Sequence, residues 1–514
     1  MTLSSIAILI AFVLYLALMI LVGLRNAKGN NSTADFFLGG RKVGPFVTAL
    51  SAEASDSSAW LLMGLPGLCY LGGFKETFWT ALGLIVGTYL NWLFVAKPLR
   101  KCSIAFGDSI TIPEFFSNRF KDKTKILSIV SVTFIVFFFT IYTASGFVAC
   151  AKLLKSVFGL NYYAGLTIGM VVILTYTILG GYTAVCKTDF IQGTLIFVAF
   201  VVSSIIIIIS LGGVGNAIEQ VKNFDANAVA GQFGEEMQKK FLANKHFSIL
   251  SIISAFSWCL GYFGMPHIII RFMGIRSNSE IKTARRIGTL WMIIAYIGTF
   301  IIGTLGTSYL AGNDLSNPIL ILKGGAAETV FSETMMKMYP AFIAGVFLCA
   351  ILAASMSTAD SQLLAASSAI SHDIFHRLIK KDASEKTVLL VGRITVSVIA
   401  VIAFCLSLNP NSSIFGLVSY AWAGFGAAFG PIILLSLYWK GITNKGAIAG
   451  IIGGGVTVVA WHNFPASWGT IFGLYEIIPG FIVCLLLAVI VSLCDKKKDE
   501  EMLADFAKYK SMED

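Results

Sequence analysis

The sequence predicts an all-α polytopic membrane protein. Hydrophobic residues make up 56% of the 514 residues and charged residues only 13%, whereas about 25% of a soluble domain is charged. Apolar segments of about 20 residues, the length that crosses a bilayer, recur along the chain. The loops between them are alternately rich and poor in basic residues, as expected if successive loops lie on opposite sides of a membrane.

Apolar length predicts thirteen transmembrane helices. The first apolar run, Ile6–Leu24, is too long for a cleaved signal peptide, so we expect it to remain as a span. Because thirteen is odd, the two termini are expected on opposite sides of the membrane. The predicted spans are residues 4–24, 46–72, 77–96, 126–151, 162–183, 190–212, 247–272, 287–311, 339–370, 387–408, 412–438, 444–463 and 471–494.

The distribution of lysine and arginine predicts the orientation. With thirteen spans, 29 of the 38 basic residues fall on one side of the membrane and 9 on the other. The side rich in basic residues is the cytoplasmic one, which places the N-terminus outside and the C-terminus in the cytoplasm. Topology thus accounts for the formal net charge of +10, and no nucleic-acid partner is expected.

The second span contains a polar run that an ordinary membrane helix would not carry. Within Phe46–Gly73, the run Glu53–Ser58 holds Glu53, Asp56 and three serines, and a charge near the bilayer centre costs at least about 2.5–3.5 kcal/mol. Such residues usually serve an ion or substrate path. Small residues on both sides indicate a broken helix, whose freed carbonyls around Ala54–Ser57 are hard oxygen donors for a cation.

The ninth span offers a second set of oxygen donors. In the run Ala350–Ser371, the residues Ala354, Ser357 and Thr358 can share one helix face. A face of small residues also permits close helix packing, so both interpretations stay open here. Glu53 is expected either to face a cavity or to make a polar packing contact, and Asp189 beside Lys187 is open to interpretation as an interfacial ion pair.

Paired interruptions suggest an internal repeat. The second span is interrupted by MGLPG and the seventh, five spans later, by WCLGYFGMPH, and such pairs point to an inverted-repeat transporter. We expect a single membrane transporter domain, with polar outer loops at 213–246 and 312–338. Its parts are the first span 4–24, repeat one 46–212, repeat two 247–438, the last two spans 444–494 and a tail 495–514 that is expected to be a solvated helix or disordered.

Polar residue types that are missing from two spans, and motifs that are missing from the sequence, restrict the possible functions. Leu250–Pro266 and Val418–Pro431 contain no Asn, Gln, Asp, Glu, Lys or Arg, which suits a small ring or aliphatic body with a compact charged end better than a sugar. No phosphate-binding G-x-x-x-x-G-K-[ST] loop is present, and the nine cysteines are isolated. We therefore expect a transporter, not an enzyme, with no cofactor and no transition-metal site.

Several ordered motifs resemble the sodium:solute symporter family, and the resemblance covers essentially the whole chain. They are SAEASDSSAWLLMGLPG, FFFTIYTASG, LGGYTAVCKTDFIQ, WCLGYFGMPHIIIRFM and ILAASMSTADSQLLAASSAISHDI. The resemblance implies thirteen spans with a LeuT-type 5+5 inverted-repeat core. It also implies uptake of L-proline driven by co-transported sodium, in the cytoplasmic membrane of a bacterium, and we expect a monomer.

The resemblance also implies roles for individual residues. Sodium ligands are implied at the carbonyls of Ala54, Ser57 and Ala354 and the hydroxyls of Ser357 and Thr358. Residues that match positions linked to sodium coupling are Asp56, Ser58, Arg41 and Asp189. Residues that match solute-site positions are Trp60, Gly64, Tyr142, Trp258, Tyr262 and Pro266. The chain departs from the family pattern at Glu53 and Ser57, where uncharged or apolar residues are usual.

Two alternatives to this function are considered. The first keeps the fold and the sodium coupling but replaces the solute by another small amino acid, a betaine or a carboxylate. The second is a sodium-responsive channel or sensor that does not accumulate solute. The sequence contains no signalling segment, which argues against the sensor, and accumulation against a gradient would exclude the channel.

Overall fold

The computed structural model of the chain is built almost entirely from helices. Within the part of the chain that the structure describes, β-pairing is limited to one isolated bridge, between Val43 and Ile275. The described residues are 2–27, 33–179, 181–231, 235, 238–239, 242, 245, 247–311, 324–465, 469–495 and 499–511.

The described residues of the first half of the chain include eleven helices, α1 to α11. Wider helical turns at Trp60–Gly64 and Trp92–Ala96 connect some of them without interrupting the path of the chain. The helices are α1 Leu3–Ala27, α2 Thr33–Leu38, α3 Pro45–Ala59, α4 Leu65–Gly72, α5 Phe74–Asn91, α6 Lys97–Ala105, α7 Ile112–Arg119, α8 Ile126–Phe158, α9 Tyr162–Leu179, α10 Tyr182–Ser210 and α11 Val214–Val229.

The second half continues in the same way. Short tight helices lie at Ser257–Gly264, Asn278–Glu280, Gly324–Thr329 and Thr470–Gly473, and a wide one at Ala369–Ile379. The helices are α12 Ile249–Phe256, α13 Pro266–Gly274, α14 Ile281–Ala311, α15 Val330–Met338, α16 Ala341–Ser368, α17 Glu385–Leu406, α18 Ile414–Tyr438, α19 Asn444–His462, α20 Ile477–Cys494 and α21 Glu500–Ser511.

Each of the thirteen predicted spans coincides with helix in the structure. Among the described residues, nine helices are long and apolar enough to cross a membrane, and the bent pair α12–α13 makes a tenth. The three remaining predicted spans correspond to the polar α3–α4 segment, to α9 and to α19. The count of thirteen membrane crossings therefore stays a prediction, as do the boundaries of the two repeats.

The first broken helix is interrupted one residue beyond the predicted run Ala54–Ser57. Ser58 has φ 41° and ψ 179°, so the chain changes direction there and not at the MGLPG sequence. Pro66 in α4 follows the wider turn Trp60–Gly64, in which the backbone stays helical, so this proline does not interrupt the helix. The break predicted around Ala54–Ser57 is therefore close to the observed one, whereas the interruption predicted at MGLPG is a wider helical turn and not a break.

The second broken helix lies where the sequence predicted it. The tight helix Ser257–Gly264 ends at Met265, whose backbone is extended, and Pro266 begins α13. The axes on the two sides of Met265 differ by 46°. Both breaks lie at the centre of the molecule, because α3 packs against α10, α13, α14 and α16.

The outer loops and the tail are only partly as predicted. The loops contain α11 and α15, whereas residues 312–323 and most of 232–246 lie outside the described residues. The tail was expected to be a solvated helix or disordered. It does form a helix, but α21 packs on the protein through Met502, Phe506 and Tyr509, which are buried. We call the side of the molecule that holds α21 and Arg41 the basic face.

Candidate functional site

The predicted cation ligands meet where α3 packs against α16. Ser357 Oγ lies 2.9 Å from the carbonyl oxygen of Ala54 and 3.2 Å from that of Ala354. Thr358 Oγ1 donates to the carbonyl of Ser55 over 2.8 Å. All five residues are buried. A hydroxyl that donates its hydrogen to a carbonyl keeps its lone pairs, so the cluster presents hard oxygen atoms suited to a small cation.

The small residues of α16 pack closely and place oxygen atoms at the same time. Their size lets the backbone of α16 approach α3 closely enough for side chain to carbonyl hydrogen bonds. The ninth span therefore fits both interpretations, since the same residues form a close packing face and present oxygen atoms to a cation. Ser57 is buried in the same turn of α3, and its hydroxyl donates back to the carbonyl of Glu53 over 2.6 Å.

Beneath this cluster lies a buried ion pair that connects α10 and α13. Arg271 Nη2 is 3.3 Å from Asp189 Oδ2, and both side chains are almost completely buried. Ser51 Oγ donates to the same carboxylate oxygen over 2.7 Å, and Ser55 Oγ over 3.1 Å. Asp189 is thus not an interfacial partner of Lys187, because its carboxylate points to the core and to Arg271.

The break in α3 is connected to the second broken helix by Asp56. Tyr262 Oη donates to Asp56 Oδ2 over 2.5 Å, and both side chains are buried. At the break itself, the backbone N–H of Trp60 donates to Ser58 Oγ over 3.1 Å. A serine can replace a lost helical hydrogen bond in this way, which gives a physical reason for this residue at the positive φ.

Aromatic side chains stack immediately beyond the break. Trp60 and Trp258 are stacked with ring centroids 5.1 Å apart, and Phe415 lies 6.0 Å from the first and 5.4 Å from the second. Tyr475 stacks on the other side of Trp258 at 5.2 Å. Trp422 Nε1 donates to the carbonyl of Trp258 over 2.9 Å and fixes the tight helix that carries it.

A cavity of about 600 Å³ leads from the face opposite the basic face to this stack. It lies at the end of α4, whereas Arg41 precedes the start of α3, so the cavity and Arg41 are at opposite ends of the same broken helix. The residues that line it include Leu68, Leu71, Glu76, Ser251, Ser254, Trp258, Phe415, Ser419 and Tyr475.

The other predicted solute residues lie around the two breaks. Gly64 lets the chain approach α18, since a Cβ there would be 3.1 Å from Trp60 Cδ1 and 3.4 Å from the nitrogen of Phe415. Tyr142 on α8 is buried with its ring centroid 6.1 Å from that of His267. Pro266 is the buried first residue of α13.

Arg41 does not belong to this cluster, because it lies on the basic face. Its Nη1 donates to the carbonyl of Met273 over 2.6 Å and to Ser103 Oγ over 3.1 Å. Its Nη2 donates to the carbonyl of Ser109 over 3.0 Å. With the neighbouring bridge at Val43, Arg41 joins the start of α3 to the end of α13 and closes this end of the molecule.

Glu53 makes a polar packing contact. Its Oε1 accepts a hydrogen bond from Trp92 Nε1 over 3.1 Å, and its side chain is buried. Gly288 on α14 provides the space, since a Cβ there would overlap this oxygen. The carboxyl group therefore contacts helices other than α16, and only its backbone carbonyl takes part in the cation cluster, through Ser57.

Four residues of the site were missed by sequence reasoning. Arg271 and His267 lie in the motif IIIRFM and directly before it, and a single arginine in an apolar half-helix was the available signal. Phe415 and Tyr475 reach the stack from near the start of α18 and from just before α20. Nothing local in the sequence distinguishes these two aromatic residues from those that contact lipid.

Comparisons with known proteins agree with this arrangement. The model of the family described as "Sodium:solute symporter family" matches residues 36–454. The sodium/proline symporter of Escherichia coli K12 is 44% identical over 507 residues, which cover 98% of this chain and 96% of that protein. The high-affinity proline transporter PutP of Bacillus subtilis is 42% identical over 493 residues, covering 96% and 99%.

Solved structures share the fold at lower identity. A Na⁺-coupled sialic acid symporter in a substrate-bound outward-open state superposes with a TM-score of 0.75 at 20% identity, covering 96% of this chain and 98% of that one. The nucleobase-cation-symport-1 family transporter MHP1 gives 0.52 at 14% identity, covering 93% and 99%. The LeuT-type fold of sodium symporters is confirmed. Because the family model matches most of its length, the chain belongs to the sodium:solute symporter family.

Proposed function

We propose that the protein is a secondary active transporter that takes up L-proline together with sodium across a bacterial cytoplasmic membrane. The observation that carries the proposal is that one break, at Ser58, separates a cluster of hard oxygen atoms from an aromatic stack. Its relatives of about 40% identity are named proline transporters or sodium/proline symporters. The protein is a transporter and not an enzyme.

We assign the sodium site to the contact of α3 with α16. The carbonyl oxygens of Ala54, Ser57 and Ala354 and the hydroxyls of Ser357 and Thr358 would surround the ion. The short distances between Ser357 and the two alanine carbonyls support this assignment, because five neutral oxygen ligands can replace the hydration shell of a small monovalent cation. Asp56 and Ser58 would connect this site to the solute pocket through Tyr262 and Trp60.

We assign the solute pocket to the space between the two breaks. The pyrrolidine ring of proline would pack against Trp60, Trp258 and Tyr142, and its carboxylate would be met by backbone amides at the start of a half-helix. Gly64, Tyr262 and Pro266 would complete the pocket. The apolar walls with few polar groups suit a solute that has a single charged end.

The order of events follows from the geometry. With the N-terminus outside and the C-terminus in the cytoplasm, the 600 Å³ cavity opens outward and Arg41 closes the cytoplasmic end. Sodium entering from outside would order the break in α3 and complete the solute pocket, after which the cytoplasmic contacts open. Each sodium ion that moves inward through ~100 mV supplies about 2.3 kcal/mol.

The proposal is tested by uptake of labelled L-proline into vesicles that contain the purified protein. An inward sodium gradient is expected to drive accumulation above equilibrium, and replacing sodium by potassium is expected to abolish it. A panel of unlabelled amino acids, betaines and carboxylates tests the solute by competition. Equilibration without accumulation in either salt would contradict symport, and accumulation of a different solute would contradict proline.

A further inference from the structure

We propose that His267 is a positioning residue that connects the sodium site to the solute pocket. The inference rests on the proposed function and assigns a role to a residue outside the ligand sets given above. His267 follows Pro266 at the start of α13 and is completely buried. Its ring lies between the α3 break on one side and α8 on the other.

The first contact is with the backbone beside the cation cluster. His267 Nε2 is 3.2 Å from the carbonyl oxygen of Ser55, the same oxygen that accepts from Thr358 Oγ1 over 2.8 Å. Because a carbonyl can only accept, the ring must carry its hydrogen on Nε2. The carbonyl of Ser55 therefore accepts two hydrogen bonds, which hold it and the Thr358 hydroxyl in one orientation.

The second contact is with the solute side. The His267 ring packs edge-on against Tyr142, with centroids 6.1 Å apart, and against Phe139 at 5.4 Å. Arg271 fixes the backbone of the same turn, since its guanidinium donates to the carbonyl of His267 over 2.5 Å. A ring held on three sides moves with α13 and not independently of it.

This arrangement gives a physical route for coupling. The orientation of Thr358, a proposed sodium ligand, depends on a carbonyl that the second broken helix holds through His267. A shift of α13 when solute binds against Tyr142 would therefore change the geometry of the sodium site, and the converse holds as well. Such coupling between two binding sites is reciprocal.

The test compares two amides of different reach. In His267→Gln the side-chain nitrogen lies the same number of bonds from Cα as Nε2, so the donor to Ser55 is kept. In His267→Asn the nitrogen corresponds to Nδ1 and falls short of the carbonyl. Phe139→Leu is the packing control, because it removes a ring contact of His267 without touching the hydrogen bond.

Two measurements are made on each purified variant. The first is the sodium concentration that half-saturates binding of labelled proline in detergent, which involves no transport. The second is the affinity for proline at saturating sodium. We expect His267→Asn to raise the half-saturating sodium concentration about tenfold, the effect of losing one buried hydrogen bond. Because the coupling is reciprocal, the same variant is expected to bind proline more weakly at saturating sodium. His267→Gln is expected to stay close to the native value.

The outcomes separate the possibilities. Equal sodium dependence of the native protein and His267→Asn would overturn the proposal, as would an equal defect in the Gln and Asn variants. A sodium shift in Phe139→Leu as large as that in His267→Asn would show that packing alone is responsible, which also overturns it. Failure of the native protein to bind proline with sodium would instead contradict the proposed function.

Discussion

At the scale of single residues, the site depends on buried hydrogen bonds that hold each acceptor group in a fixed position. Asp56 accepts from Tyr262, Ser55 from Thr358, and Asp189 from two serines and Arg271. An ionised carboxylate in the membrane interior is stable only when such donors replace water. Removing one of these hydrogen-bond partners is therefore expected to affect function more than substituting an exposed residue does.

Asp56→Asn is expected to raise the sodium concentration needed for half-maximal proline uptake by about tenfold or more. The substitution removes a negative charge next to the proposed sodium ligands, where a low dielectric strengthens the attraction for the ion. The protein should still fold, because asparagine keeps an oxygen that can accept from Tyr262. The measurement is the sodium dependence of uptake, with the melting temperature as a check on folding.

The control for Asp56→Asn is Glu219→Gln, which neutralises an exposed acid on α11. We expect this variant to match the native sodium dependence. If Asp56→Asn also matches it, the carboxylate of Asp56 takes no part in sodium coupling. Tyr262→Phe provides a second comparison, since it leaves the carboxylate in place but removes its hydrogen-bond donor.

At the scale of elements, the two broken helices are held by glycines as well as by polar contacts. Gly261 in the tight helix Ser257–Gly264 lies against Trp422 of α18, and a Cβ there would overlap the indole nitrogen. That indole donates to the carbonyl of Trp258. A methyl group added at Gly261 would therefore displace Trp422 and, through its hydrogen bond, disturb Trp258 in the aromatic stack.

Gly261→Ala is expected to lower the melting temperature and to weaken proline binding. Overpacking of this kind costs about 1–3 kcal/mol, and the displaced Trp422 would no longer fix Trp258. Gly23→Ala is the matched control, because Gly23 lies in α1 with no atom within 4 Å of an added Cβ. Equal melting temperatures and proline affinities of the two variants would show that α18 moves to accommodate the added methyl group without loss of stability or binding.

The tail helix α21 is a further element that is expected to stabilise the fold, through contacts with basic residues in and after α7. Phe506 lies over the guanidinium of the buried Arg119, with 4.8 Å between the central guanidinium carbon and the ring centroid. Burial lowers the pKa of Arg119 to about 10, so the charge is partly desolvated there. Aromatic faces offset such desolvation. Lys121 adds ion pairs to Glu501 and Asp505.

Phe506→Ala is expected to lower the melting temperature of the purified protein clearly, since burying an aromatic ring contributes several kcal/mol, about 3–5 kcal/mol in protein cores. Lys508→Ala, on the exposed side of the same helix, should leave the melting temperature unchanged. Identical melting curves for both variants would indicate that α21 contributes nothing to the stability of the fold.

At the scale of the whole molecule, the sequence predicts the helices better than their interruptions. Apolar length places a helix at each predicted span, because burial in a bilayer demands it. A break around Ala54–Ser57 was predicted, but its exact position at Ser58 could not be, since a positive φ is stabilised by contacts with distant residues. The packing of α21 could have been: Met502, Phe506 and Tyr509 follow the spacing of one helix face.

The functional site, like the fold, was predicted from the sequence only in part. The acid residues and the oxygen donors for a cation were recognised from the cost of polar groups in a membrane, but the assignment of sodium and of a role to each residue came only from the resemblance to a family. Arg271 was missed because its partner Asp189 lies 82 residues away in the sequence. Partners this distant in sequence become visible only when the fold brings α10 and α13 together.

The contacts of Arg41 define what must break for the molecule to open on the basic face. Four hydrogen bonds from its guanidinium, one of them to the Asp108 carboxylate, hold the end of α13 and the segment Ser103–Ser109 against the start of α3. Hydrogen bonds to charged groups contribute about 1.5–3 kcal/mol each. Their loss should shift the conformational equilibrium toward opening on this face by tenfold or more.

Arg41→Ala is therefore expected to make Cys186, which is buried one turn before Asp189, accessible from the basic face. The measurement is the rate of labelling by a membrane-impermeant maleimide in inside-out vesicles, with Cys186 as the sole cysteine. Arg276→Ala is the control, because the Arg276 side chain contacts Glu280 on its own segment and is mostly exposed. Equal labelling of Cys186 in both variants would mean that Arg41 does not hold this face closed.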